Sequence, residues 1–90
     1  MMSISGNPKK FAQALSDGFV RLSPPMLKGH TPGQLKTLLS NLEMVQRELR
    51  QIPVSLDDVD AVKQKNYRTT RLTQAEMILR TYCKKMRIPL

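Results

Sequence analysis

Ninety residues with a formal charge of +8 and a sequence pI near 10.2 make one small domain, whose core must be economical because a short chain buries a modest share of its surface. With two Phe, two Tyr, no Trp and only four Gly, the apolar side falls to Leu, Met, Ile and Val, and an all-α fold is expected. The single cysteine, Cys83, excludes an internal disulfide and with it a disulfide-stapled secreted scaffold.

The opening Met1-Met2-Ser3-Ile4-Ser5-Gly6 lacks the continuous apolar stretch of a secretory signal. Nowhere do roughly eighteen apolar residues run together, so no transmembrane segment is expected and a cytoplasmic location fits best. Asn7 suits a helix cap, and Pro8 suits the first helical position after it. Phe11, Leu15, Phe19 and Leu22 then recur at three- and four-residue steps, with Gly18 interrupting the pattern, so a short helix over about 8–17 is expected. Ser23-Pro24-Pro25 stops any continuation, which makes residues 23–30 a linker ending in a solvated His30. Residues 1–30 are thus an N-terminal segment with a short helix and a Pro-containing linker. Residues 31–90 are the helical core domain.

The strongest signal in the chain is the seam Leu35, Leu38, Leu42, Val45, Leu49 and Ile52, broadened by Leu39. Its steps of three and four belong to a helix that packs along another helix, over about 32–51. Thr31 and Gln34 have the spacing of a capping box, Pro32 occupies the first helical position, and Pro53 closes the run. Next, Ser55-Leu56-Asp57-Asp58 reads as a second helix start with carboxylates in its first turn, giving a short helix over about 56–65. These acids lack the spacing and glycine turn of a calcium loop. A last helix over about 70–87 carries Leu72, Ala75, Leu79, Tyr82 and Met86. On a straight helix through 55–87, Val59 and Val62 would lie opposite Leu79 and Met86, so a break between Lys65 and Thr70 is expected, with Thr69, Thr70 or Thr73 as caps. The architecture is a small irregular bundle of three to four helices.

Charge is uneven: +3 over residues 1–30, −2 over 31–60 and +7 over 61–90. Lys63, Lys65, Arg68 and Arg71 crowd the expected break around Tyr67, an arrangement suited to stacking a base while cations meet phosphates. Arg80, Lys84 and Arg87 recur on one face of the last helix opposite its seam, with Lys85 beside them. These nine residues are the candidate partner-binding set.

Enzyme signatures are absent: there is no Gly-rich phosphate loop, HExxH, CxxC or GxSxG. A lone His30 does not supply a metal centre, and Cys83 sits on the seam of the last helix, where a core role outweighs a nucleophilic one. No catalytic residue, metal or cofactor is expected. Two function classes remain. One is a non-enzymatic helical interaction module, an adaptor or assembly factor that binds a protein partner or a second copy through exposed apolar surface, with Met44 and Met77 lying off the seams. The other is nucleic-acid binding through the basic C-terminal third, the helices after Ser55 and Thr70 resembling a helix-turn-helix.

Overall fold

A computed structural model describes residues 6–89, and the expectation for residues 1–5 lies outside it. The fold is an all-α bundle of four helices: α1 (Pro8–Asp17), α2 (Pro24–Leu27), α3 (Pro32–Gln51) and α4 (Val59–Lys85). Among the described residues there is no strand.

Local chemistry places the starts of α1 and α3 where the sequence puts them. Asn7 Oδ1 accepts from the Lys10 amide at 3.1 Å, with Pro8 inside the first turn. At α3 the capping box is complete: the Gln34 amide donates to Thr31 Oγ1 at 3.1 Å, and Gln34 Oε1 accepts from the Thr31 amide at 2.9 Å. Two otherwise orphaned amides are satisfied, each such cap contributing about 1 kcal/mol. Residues 35, 38, 39, 42, 45 and 49 are buried along the expected seam. Ile52, the next position in that seam, is half-exposed because the helix has ended.

The core joins α1, α3 and the second half of α4, with Phe11, Leu15, Leu35, Leu38, Leu42, Leu72, Leu79 and Cys83 at its centre. Two cross-links show that α3 and α4 run antiparallel: Arg80 reaches Glu43, and Gln46 reaches Glu76. Leu22 and Leu27 add to the same core, so the stretch expected to be a linker contains a helical turn, α2, that buries Leu27. His30 at its end is half-buried, with Nδ1 enclosed and no hydrogen-bond partner among the described residues, rather than solvated.

The expected break between Lys65 and Thr70 does not exist. α4 is one helix of 27 residues, about 40 Å long at 1.5 Å per residue, close to the 45 Å length of the molecule. Its cap is Asp58, whose carboxylate accepts from the Ala61 amide at 3.1 Å, and not Ser55. Thr69, Thr70 and Thr73, expected as caps, lie mid-helix, and two of them turn their hydroxyls back on the preceding turn: Thr69 donates to the Lys65 carbonyl and Thr73 to the Thr69 carbonyl, each at 2.9 Å. The apolar residues of the first half need share no phase with Leu79, because the two halves of α4 are not both buried. Only Leu72, Ala75, Leu79 and Cys83 are buried. Val59 is exposed, and Leu56, on the preceding loop, is 89% exposed.

Both long-range helix ends close in the same way. At α1, the Phe19 amide donates to Ala14 O and the Gly18 amide to Leu15 O, with Gly18 at φ 83°. At α4, the Ile88 amide donates to Cys83 O and the Arg87 amide to Lys84 O, with Arg87 at φ 58°. Each is a Schellman motif, which needs a left-handed residue just past the helix. α1 therefore stops at Asp17 and leaves Phe19, expected on its seam, 81% exposed. α4 stops at Lys85, two residues before the expected end, so Arg87 is not part of a helical stripe.

Candidate functional site

The nine nominated residues do not form one site. Arg71 Nη1 donates to the Ser16 carbonyl at 3.1 Å, and Arg68 Nε pairs with Asp17 at 3.4 Å. Both cations therefore sit at the C-terminus of α1, where unpaired carbonyls and the negative end of the helix dipole attract them. Arg71 passes so close to Gly18 that a Cβ added there would lie 3.0 Å from Arg71 Cζ. Lys65 donates to the Ile52 carbonyl at 3.1 Å, closing the end of α3. Arg80 binds Glu76 at 3.0 Å and Glu43 at 3.2 Å, so it tethers α3 to α4 instead of projecting away from the bundle.

Five of the nine are left outside such contacts. Lys63, Lys84, Lys85 and Arg87 are exposed and form no ion pair among the described residues. Tyr67 is exposed on the first half of α4, one turn from Lys63. The helix-turn-helix expected from residues 55–87 is absent, since α4 runs through the position of its turn.

A different feature gathers more chemistry. Where α2 lies against the second half of α4, Pro24, Pro25, Ile78, Tyr82, Met77 and Met86 enclose an apolar groove of about 610 Å³, with Lys28 and Lys85 also on its walls. Met77 is 63% and Met86 53% exposed. The fold explains this exposure: α4 buries one stripe against α1 and α3, and α2 is too short to cover the flank carrying Met77 and Met86. Methionine is unbranched and polarizable, so it adapts to irregular apolar surfaces. Sequence reasoning singled out Met77 as lying off the seam but missed the groove. Its other wall comes from Pro24 and Pro25, which read only as a helix stop.

Cys83 belongs to the core with 1% exposure, and burial raises its thiol pKa above the ordinary value of 9.0. A raised pKa keeps the sulfur protonated and poorly nucleophilic near neutral pH. Among the described residues, no group of three or more His, Cys, Asp or Glu is arranged to hold a metal ion. Nor is any helix long and apolar enough to cross a membrane. No family model matches the chain, and no curated protein or solved structure matches it either.

Proposed function

We propose that the protein is a non-enzymatic, cytoplasmic interaction module that docks a protein partner in the groove between α2 and α4. The observation that carries this reading is the pair of exposed methionines, Met77 and Met86, set with Ile78, Tyr82 and two prolines around one concavity. An apolar patch left uncovered on a small domain is the kind of surface that partners bury. Catalysis has no comparable support, because no activated nucleophile or acid–base pair accompanies the groove.

Site-specific photocrosslinking tests this. A photoreactive residue at Met77 should yield protein adducts in extract from the source cells, adducts that survive nuclease digestion, whereas the same residue at Lys63 should yield few. Equal labelling from both positions would contradict the proposal.

A second reading, nucleic-acid binding, rests on Lys63, Lys84, Lys85 and Arg87, exposed and without an ion pair among the described residues, together with the +7 excess of the last third. Anisotropy with duplex DNA and single-stranded RNA at two salt concentrations decides it, since phosphate contacts strengthen as salt falls. No binding at low salt removes this reading.

A further inference from the structure

We infer that the occupant of the α2–α4 groove is an acidic amphipathic helix of a partner protein, seating its apolar side chains between Met77, Ile78 and Met86 and setting its carboxylates against Lys28 and Lys85. The inference rests on the groove being the docking surface and adds the chemistry of what docks.

Charge supplies the first argument. The groove walls come from residues within 24–28 and 77–86, two stretches without a single carboxylate side chain, which carry Lys28, Arg80, Lys84 and Lys85. The acids elsewhere are committed or remote. Asp17 pairs with Arg68, Glu48 with Lys9, and Glu43 and Glu76 with Arg80. Asp57, Asp58 and Asp60 stand at the opposite end of α4, about 40 Å from Lys85. Glu76 is next to Met77 in sequence but faces α3, where it accepts from Gln46 at 3.2 Å. Lys28 and Lys85 form no ion pair among the described residues. A carboxylate arriving at this groove meets cations that no ion pair among the described residues neutralises, and a basic segment meets repulsion.

The form of the ligand follows from the backbone. No strand edge exists among the described residues to which an extended segment could add, and Pro24 and Pro25 have no amide hydrogen to donate. A Pro-rich ligand needs an aromatic-lined groove, and here Tyr82 is the one aromatic side chain on the walls. A helix brings its own satisfied backbone and needs only apolar seats. From Ile78 to Met86 the floor extends about 12 Å, the reach of anchors two turns apart on a docked helix.

The test is an unbiased selection of random 16-residue peptides displayed against the full chain. Enriched peptides are then titrated against the wild type, Met77→Ser and the double variant Lys28→Gln/Lys85→Gln. All three replaced side chains are on the surface, and circular dichroism confirms that each variant folds. The expected winners are net negative, with apolar residues at i, i+3 or i+4, and i+7. They should bind Met77→Ser roughly tenfold more weakly. On Lys28→Gln/Lys85→Gln they should also weaken, with a flatter salt dependence. Winners that need Met77 but are neutral or basic, or ignore the lysine variant, overturn the acidic assignment and leave the docking surface standing. Winners indifferent to every groove variant, or no winners at all, overturn both. Vesicles of anionic lipid form a parallel arm, and Met77-dependent binding to them in place of peptide enrichment would assign the groove to a membrane surface and overturn the inference.

Discussion

Gly18 and Arg87 occupy equivalent positions past α1 and α4, and only one of them is a glycine. A left-handed conformation costs a residue bearing Cβ about 1 kcal/mol relative to Gly. Gly18→Ala should therefore destabilise the fold by about 1 kcal/mol or more, because it adds that strain and also crowds Arg71. Arg87→Gly should be neutral or stabilising by up to about 1 kcal/mol, since it relieves the same strain at φ 58°. Urea titration of both variants measures the contrast, and equal losses would contradict the shared-motif account. Cys83 makes a prediction of its own. A folded pKa raised above the unfolded value gives a contribution to stability that is complete below the unfolded pKa and is lost as pH climbs through the folded one. Stability should fall above about pH 9 in the wild type, and the fall should be smaller in Cys83→Ala after correction for its lower baseline. Alkylation of the native thiol should also be slow beside that in denaturant. The positions of Arg68 and Arg71 were legible as a cluster of cations, but their role was not. It depends on the end of α1 arriving beside them, a contact 55 residues away in sequence for Arg71.

At the level of whole helices, what was legible followed from local chemistry. Asn7-Pro8 and Thr31-Pro32 with Gln34 specify helix starts through side chains three residues apart, and both starts form where the sequence places them. The seam of α3 is legible because the whole helix is packed. In α4 periodicity misleads because it reports burial and not helicity: its first half is helical without being buried, so its apolar residues owe no phase to Leu79. Thr69 and Thr73 compound the error, since a hydroxyl that caps a helix start equally serves a carbonyl one turn back. Amide exchange checks the correction. Residues 66–70 should exchange more slowly than the loop at 53–57, and loop-like exchange at Thr69 or Thr70 would restore the break. Burial sets the energetic ranking: Leu42→Ala and Leu79→Ala should each cost about 2–5 kcal/mol, whereas Met77→Ala should cost well under 1 kcal/mol because it leaves no cavity. A large loss at Met77 would mean that the groove is closed in solution.

Over the whole molecule, charge differs between the two ends of the long axis. Asp57, Asp58 and Asp60 mark one end, while the C-terminal end carries Lys84, Lys85 and Arg87 beside the groove. The uneven charge was plain in the sequence, but the groove was not. It is made by two stretches about fifty residues apart, and the seam analysis that finds a core passes over the residues left outside it. Three nominated arginines proved to be ties within the bundle, while Lys85 came to line the groove. Surface ion pairs are worth about 0.2–1 kcal/mol each, so replacing Arg80 with Gln should lower stability slightly, while replacing Lys84 with Gln should not. The most direct test of the docking surface is a methyl spectrum of protein carrying 13C-labelled methionine, recorded in nuclease-treated extract from the source cells. The account predicts that the Met77 and Met86 resonances shift or broaden while Met44, exposed on α3 outside the groove, stays where it is. Unchanged Met77 and Met86 resonances, or a response confined to Met44, would contradict it.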